Sequence, residues 1–380
     1  MTEAKTFAVI GAGIGGLTTA IALQRIGIRT RIYESATGFR QVGAGIVLAP
    51  NAIKAFTSLG VADDLIEKGH LLQNFSICDQ SGAPLTTTPN ESAKKFPPSY
   101  AFHRAELHAS LISKLNSPVI TLGMTCVDFF PEGNGITLVF KDGSRDKVDG
   151  VIAADGIHSV FRKKLLPKSS LRYSGYTCWR GVTEDSIVSD REAKELWGRG
   201  RRFGYVPLSD GRVYWYATVN AKPKDASLRD NADAVSSLFL DFPELVSLAI
   251  KKTAENRMIR NDIYDFPPVS KYAFGNVLLL GDAAHATTPN MGQGACMAIE
   301  DAAVLMNCLS KSSDISDAFN TFSAKRLKRT RKIVETSYSL GRISQVENRT
   351  FIAIRNKLMR LTPSSVSEKQ FRFLYEVSFD

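Results

Sequence analysis

Alternation and periodicity divide the chain before any side-chain chemistry is considered. Thr6 to Ile10 is a short apolar run, a glycine cluster and a helical pattern follow to about Arg25, and a second strand pattern covers Arg29 to Glu34. Strand, helix and strand in that order predict a βαβ unit. Helical spacing returns at Pro50 to Leu59 and at Arg104 to Leu115, whereas Asn74 to Pro98, rich in Ser, Thr and Pro, predicts strands and turns. Thr121 to Asp149 reads as β, with Gly133-Asn134-Gly135 and Asp142-Gly143 as turn signals. Val151 to Ala154 is a compact buried-type strand. Residues 172 to 220 alternate apolar and polar positions, carry all three tryptophans and predict an antiparallel sheet. Another buried-type strand falls at Asn276 to Leu280, a helix at Gly294 to about Leu309, and helical patterns dominate to the end. No internal repeat interrupts this order. A βα layer, an antiparallel layer and a return to the first predict two domains woven through each other.

Composition narrows the class. In 380 residues, 44% hydrophobic and 23% charged, no stretch reaches the roughly 20 uninterrupted apolar residues that span a bilayer. Met1 to Phe7 is polar and runs straight into a strand, so no signal peptide is expected and a cytoplasmic location follows. Cys78, Cys126, Cys178, Cys296 and Cys308 are odd in number and far apart, which predicts reduced thiols, neither a disulfide framework nor a zinc site. The net charge of +10 is local: residues 321–361 hold eleven Lys or Arg against Glu335 and Glu347. The run Lys325 to Lys332 is expected to be a solvated helix face, with weak contact to an anionic membrane surface or to an acidic partner as the alternative. Aromatic stacking residues or a nucleic-acid module do not accompany it, so no nucleic-acid partner is expected.

Three loops carry candidate chemistry. Gly11-Ala12-Gly13-Ile14-Gly15-Gly16 lies between the first strand and helix, with Glu34 at the end of the second strand, 21 residues after Gly13. Glycines there allow a tight turn, close approach of a pyrophosphate and helix–strand packing, the helix N-terminus favours phosphate, and the carboxylate suits ribose hydroxyls. Glu34 disfavours a 2′-phosphate, so FAD or NAD fits. Asp155-Gly156 follows the strand at 151–154 and by itself reads as a turn opening a helix. Gly281-Asp282-Ala283-Ala284-His285 ends a strand, and Pro289-Asn290-Met291-Gly292-Gln293-Gly294 opens a helix whose N-terminal amides suit negative charge. Asp282 is placed for polyol hydroxyls. Glu300 and Asp301 read as surface or packing residues.

In combination these loops resemble the class A flavoprotein monooxygenases, the family of para-hydroxybenzoate hydroxylase, with urate hydroxylase and zeaxanthin epoxidase nearer in look. The D-G-x-x-S-x-x-R ending at Arg162 and Tyr173 to Arg180 are also family-like. The resemblance implies an α/β (α+β) fold: a Rossmann-like FAD-binding domain (1–72, 99–171, 268–345), an antiparallel β-sheet substrate domain (73–98, 172–267) and a C-terminal helical segment (346–380). It implies that Gly11, Gly13, Ile14, Gly15, Gly16 and Glu34 hold the ADP half of FAD, that Arg104 lies along the cofactor, and that Asp155 sits near the pyrophosphate and the nicotinamide path. It further implies that Asp282 binds the ribityl chain, and that Pro289, Gly292, Gln293 and Gly294 line the isoalloxazine ring. His285 is structural in that motif.

The implied chemistry is reduction of FAD by transient NADPH or NADH, addition of dioxygen at flavin C4a, and oxygen transfer from the hydroperoxide to a small organic, aromatic or unsaturated, substrate. No metal or protein nucleophile is required. No base or phenol relay matches para-hydroxybenzoate hydroxylase, so substrate and regiochemistry do not carry over. Phe203, Tyr205 and Trp215 are candidates for an apolar pocket, with sheet core as the equal alternative; Arg180 and Arg202 would meet an acidic substrate or lie at the surface. A halogenase is disfavoured because Tyr214-Trp215-Tyr216-Ala217-Thr218-Val219 does not match the W-x-W-x-I-P segment. A flavin reductase or oxidase without oxygen insertion, and a non-enzymatic flavin-binding adaptor, are the remaining alternatives.

Overall fold

The computed structural model describes residues 5–39, 44–89, 96–116, 119–188 and 191–380; part of the stretch expected as strands and turns, 90–95, lies outside them. The chain opens with β1 (Thr6–Ile10), α1 (Ile14–Arg25) and β2 (Arg29–Tyr33). β3 (Gly45–Leu48), α2 (Pro50–Ser58), α3 (Ala62–Ile66) and β4 (His70–Leu72) follow. Next come β5 (Asn74–Asp79), β6 (Pro84–Pro89), β7 (Ser99–His103) and α4 (Arg104–Ser113). A β run holds β8 (Ile120–Thr121), β9 (Cys126–Glu132), β10 (Gly135–Phe140), β11 (Arg145–Val148) and β12 (Gly150–Ala153), before α5 (Val160–Leu165). The large sheet contributes β13 (Arg172–Val182), β14 (Glu192–Trp197), β15 (Arg201–Pro207) and β16 (Val213–Asn220), then α6 (Ala232–Ser237), α7 (Glu244–Lys251) and β17 (Ile259–Asp265). β18 (Ala273–Phe274), β19 (Val277–Leu279) and α8 (Asp282–His285) lead into α9 (Gly294–Lys311), α10 (Ile315–Ser344), α11 (Arg349–Arg360) and α12 (Ser364–Tyr375).

One six-stranded sheet, in the order β18-β19-β12-β1-β2-β8, forms the first layer. Its central strands are parallel and buried on both faces: Phe7, Ala8, Val9, Val151, Ile152, Ala153, Leu278 and Leu279 have no exposed surface. This explains why they read as unbroken apolar runs with no alternation. The register sets Ile10 beside Ala153, and Ala153 beside Leu279. Three neighbouring strands therefore end level, and the three loops of interest leave from that one edge.

The second layer is a seven-stranded sheet, β17-β13-β16-β15-β14-β5-β6, joining strands from 74–89 to strands from 172–265. It is antiparallel as expected, except for the parallel pair β14–β5. Helices α6 and α7 cover one face, an addition that the alternation in 172–220 does not announce. The small sheet β3-β7-β4 was not legible either, because strands of three to five residues carry too few alternations to be told from loops.

Candidate functional site

Glycine chemistry joins the first two loops. At Gly11 the backbone has φ +98°, and a Cβ there would stand 2.5 Å from the carbonyl oxygen of Ala154, immediately before Asp155. A Cβ at Gly16 would stand 2.0 Å from the carbonyl of Gly11, so α1 crosses β1 at a distance that only glycine permits. Gly15 packs on Ala298 of α9 and Leu280, which brings the first loop against the third. Arg162 links the second and third: its buried guanidinium donates to the carbonyls of Ala283 (2.9 Å) and Ala284 (2.7 Å) and lies over the Phe266 ring. The sequence offered Arg162 only as part of a motif; this tie is what the motif's arginine does.

Around this junction the structure leaves room and unspent hydrogen-bonding capacity. The N-terminus of α1, at Gly13, and that of α9, at Gln293, carry no side-chain cap and no acid in the first turn. Their first N–H groups are thus open to an anion. A Cβ built on Gly13 or on Gly292 meets nothing within 4 Å. Glu34 accepts from the Ala12 N–H through Oε2 and from the Ala36 N–H through Oε1, both at 2.8 Å, which fixes its carboxylate at the end of β2. Asp155 Oδ2 accepts from the Val160 N–H, while Oδ1 is buried and unpartnered; Thr287 Oγ1 is in the same position. Burial raises the pKa of Asp155 despite its hydrogen bonds to Ser159 and the backbone. Asp282 opens α8 just after β19: solvent reaches it, yet surrounding protein pushes its pKa up, with His285 and Arg104 pulling it back. Two acid-free helix starts, an oriented carboxylate, unpartnered buried oxygens and bare glycines fit an extended dinucleotide.

Other expected cofactor residues fall as follows. Ile14 is buried and Gly294 half-buried in the first turns of α1 and α9, so Ile14 offers the ligand only backbone. Pro289 and Gly292 are exposed. Arg104 begins α4 with an exposed side chain close enough to Asp282 to act on its charge. Gln293 is turned inward, its Oε1 accepting from Asn51 Nδ2 at 2.9 Å, so any contact it makes with a ring is through its backbone.

Behind the third loop lies a buried ion cluster. Asp301 accepts from the Gly281 N–H (3.1 Å), pairs with His285 Nε2 (2.7 Å) and accepts from Arg326 Nε (2.6 Å). Glu300 accepts from Arg326, from both Nε and Nη2 of Arg329, and from Asn51. Neither acid has any exposed surface, which corrects the surface reading of Glu300 and Asp301; packing is their role, through charge. The expectation of a solvated face over 325–332 needs the same correction: Arg326 is buried and Arg329 is paired, while Lys325, Lys328, Arg331 and Lys332 face solvent. Burial alone would raise the pKa of Asp301, but His285 and Arg326 overcome it and hold it at about 2. His285 is thus a brace, as the resemblance implies.

The seven-stranded sheet presents two chemically distinct faces. Phe203, Tyr205 and Trp215 lie on the face under α6 and α7, where Phe203 stacks on Trp215 and meets Phe239 edge-on. Phe203 and Trp215 have no exposed surface and Tyr205 has 6%, so these three are sheet core and not a lining. Alternation puts their neighbours Arg180, Arg202, Tyr214 and Tyr216 on the other face. There Arg202 pairs with Glu195 (2.9 Å), donates to Asn290 Oδ1 (2.8 Å) and has no surface role; Tyr216 donates to the second oxygen of Glu195 (3.0 Å). Tyr176 also donates to Asn290, whose Nδ2 reaches Thr288 and Ser337. Half-buried Arg180 reaches Asn261 at 3.3 Å. Asn290 therefore ties the Pro289–Gly292 turn to this face. Sequence reasoning missed Glu195, Tyr216 and Asn290, although counting parity from Arg202 would have put Arg202 and Tyr216 together.

Known proteins agree with this geometry. The model of the FAD binding domain family matches residues 3–337. Aurachin C monooxygenase/isomerase of Stigmatella aurantiaca is 37% identical over 96% of both chains, and 2-heptyl-3-hydroxy-4(1H)-quinolone synthase of Pseudomonas aeruginosa is 32% identical over 97% of both. Among solved structures, Klebsiella pneumoniae HpxO complexed with FAD and uric acid superposes with a TM-score of 0.88 at 29% identity, over 98% of this chain and 97% of that one. The chain belongs to the FAD-binding family and, within it, to the flavin-dependent monooxygenases.

Proposed function

We propose that this enzyme hydroxylates a fused nitrogen heteroaromatic of the quinolone kind, using reduced nicotinamide and dioxygen. The reading is supported by the similarity to 2-heptyl-3-hydroxy-4(1H)-quinolone synthase over nearly the whole chain, and by the pairing of Arg202 with Glu195 on the polar sheet face. Glu195 cancels the charge of Arg202, which favours a neutral polar ring over a carboxylate substrate. FAD held by these loops would supply the redox chemistry, two electrons from the nicotinamide and one atom of dioxygen for the substrate, with the other atom leaving as water.

The chain's own residues bind and orient. Amides at the starts of α1 and α9 receive the pyrophosphate and the reduced ring, Glu34 the ribose, Asp282 the ribityl hydroxyls, and Asp155 and Arg104 flank the cofactor. Tyr216 keeps its phenolic proton, because burial and then Glu195 raise its pKa well above the ordinary value, so it acts as a hydrogen-bond donor. Asn290 couples the ring-facing turn to that donor set. In this reading residues 1–72, 99–171 and 268–345 serve the flavin, 73–98 and 172–267 the substrate, and 346–380 form a helical annex; the location is cytoplasmic.

The observation carrying the reading is the convergence of three loops on one edge of three parallel strands, between two uncapped helix starts. The purified protein is expected to be yellow, and Asp282→Ala to lower its flavin content at least several-fold. A 2-alkyl-4-quinolone is expected to accelerate nicotinamide oxidation and to acquire label from isotopic dioxygen. Label from water instead would remove oxygen insertion, and stimulation by hydroxybenzoates alone would remove the quinolone assignment.

A further inference from the structure

Large apolar side chains left in water are concentrated at one place. Twelve stand exposed among the described residues, and six of them fall between 343 and 366: Ile343, Phe351, Ile354, Leu358, Leu361 and Val366. Phe351, Ile354, Leu358 and Leu361 recur at intervals of three, four and three, so they form one stripe along α11 and its C-cap. The helix is well made, with Asn348 accepting from the N–H groups of Thr350 and Phe351. Yet it buries a different face: Arg355 is its buried residue, donating to the Ser344 carbonyl at 3.1 Å and lying over Trp197. The stripe is thus not the side by which α11 holds to the body of the enzyme. Contiguous apolar surface of this kind on a soluble protein marks an interaction site.

Charge decides the occupant. α11 contains no acid; exposed Lys357 flanks the stripe, three residues after Ile354 and four before Leu361, and exposed Arg349 and Arg360 lie further round the helix, Arg360 spending part of its charge on Asp79 at 2.7 Å. A two-fold contact with a second copy would bring the same cations together across the seam, which opposes it. Elsewhere on the surface, Lys325, Lys328, Lys332, Lys369 and Arg372, with Glu376, line a largely basic groove between α10 and α12. An apolar stripe edged by cations alone is the pattern of a helix lying in the plane of an anionic bilayer surface. We propose that α11 docks this enzyme on anionic lipid, with Phe351, Ile354, Leu358 and Leu361 at the acyl boundary and Arg349 and Lys357 among the headgroups. This relocates the membrane contact from the run 325–332, whose Arg326 and Arg329 are committed to the buried ion cluster. It is independent of the substrate assignment, although a lipid surface is where a substrate with a hydrocarbon tail accumulates.

The test is flotation of the FAD-loaded full chain with vesicles of phosphatidylcholine plus phosphatidylglycerol, and with phosphatidylcholine alone. Partition into the anionic vesicles is expected to exceed that into neutral ones by about tenfold or more at low salt, and to fall as salt rises. I354Q/L358Q and R349E/K357E should each lose about tenfold of that partition, with flavin content and elution volume unchanged. Wild-type protein that stays out of the anionic vesicles at low salt overturns the proposal, as does flotation equal to wild type in both variants. A wild-type dimer that I354Q/L358Q turns into a monomer, without wild-type flotation, also overturns it and assigns the stripe to self-association.

Discussion

At Gly13 and Gly16 two glycines three residues apart do different work. A methyl group at Gly16 collides with the Gly11 carbonyl, so Gly16→Ala is expected to destabilise the fold by about 1–3 kcal/mol, the cost of overpacking. A methyl group at Gly13 meets no protein atom, so Gly13→Ala should leave thermal stability of the flavin-free protein within about 0.5 kcal/mol and still weaken flavin binding. Thermal denaturation of apoprotein and a flavin titration on both variants check the pair. Glycine and aspartate positions of this sort were legible in the sequence because their meaning is local: a tight turn or a helix start is decided within a few residues. Side-chain direction is not local in that sense. Gln293 stood in the right loop, yet its amide turns inward to Asn51, 242 residues away in the chain.

Between α9 and α10 the decisive quantity is pairing, which composition does not report. Eleven basic residues against two acids in 321–361 suggested a solvated face, but Arg326 and Arg329 find their acids, Glu300 and Asp301, on the preceding helix. Arg326→Met removes the cation shared by two buried carboxylates, leaving Glu300 to Arg329 and Asp301 to His285, and is expected to cost about 3–5 kcal/mol, whereas Lys325→Met should stay within about 0.5 kcal/mol; chemical denaturation of the two variants separates them. Asp301 gives the cluster a pH signature. Its pKa in the folded chain, about 2, lies below the ordinary aspartate value of 3.8, so its stabilisation is present above the unfolded value and is withdrawn as pH falls from about 4 towards 2. Asp301→Asn is expected to flatten that limb of the stability–pH curve. Because Asp301 also holds the Gly281 N–H and His285, flavin should be released over the same interval.

Across the whole molecule, the parallel layer was readable and the contents of the antiparallel layer were not. Strands buried on both faces announce themselves as apolar runs, whereas their order in the sheet is seen only in the structure. The antiparallel sheet was legible as a sheet, but which of its faces meets the flavin loop depends on packing from distant elements, Asn290 on one side and α6 and α7 on the other. Trp215 and Tyr216 test that division. Trp215→Ala is expected to cost about 3–5 kcal/mol of stability and to leave kcat/KM of the folded fraction unchanged. Tyr216→Phe should cost only about 1–2 kcal/mol and lower kcat/KM by about tenfold. Steady-state kinetics beside denaturation curves distinguish the two.

Strand parity has a further consequence for how this enzyme can change what it accepts. In the paired stretches of β13, β15 and β16 the even-numbered residues, among them Arg180, Arg202, Tyr214 and Tyr216, share one side, and odd-numbered ones such as Trp179, Phe203 and Trp215 share the other. A single inserted or deleted residue within one of these strands would swap the two populations along it, setting indole on the polar face and guanidinium under α6 and α7. On the proposed reading of that face, new specificities are reached by replacing even-numbered residues one at a time, while strand length is held constant by the hydrophobic ballast on the reverse.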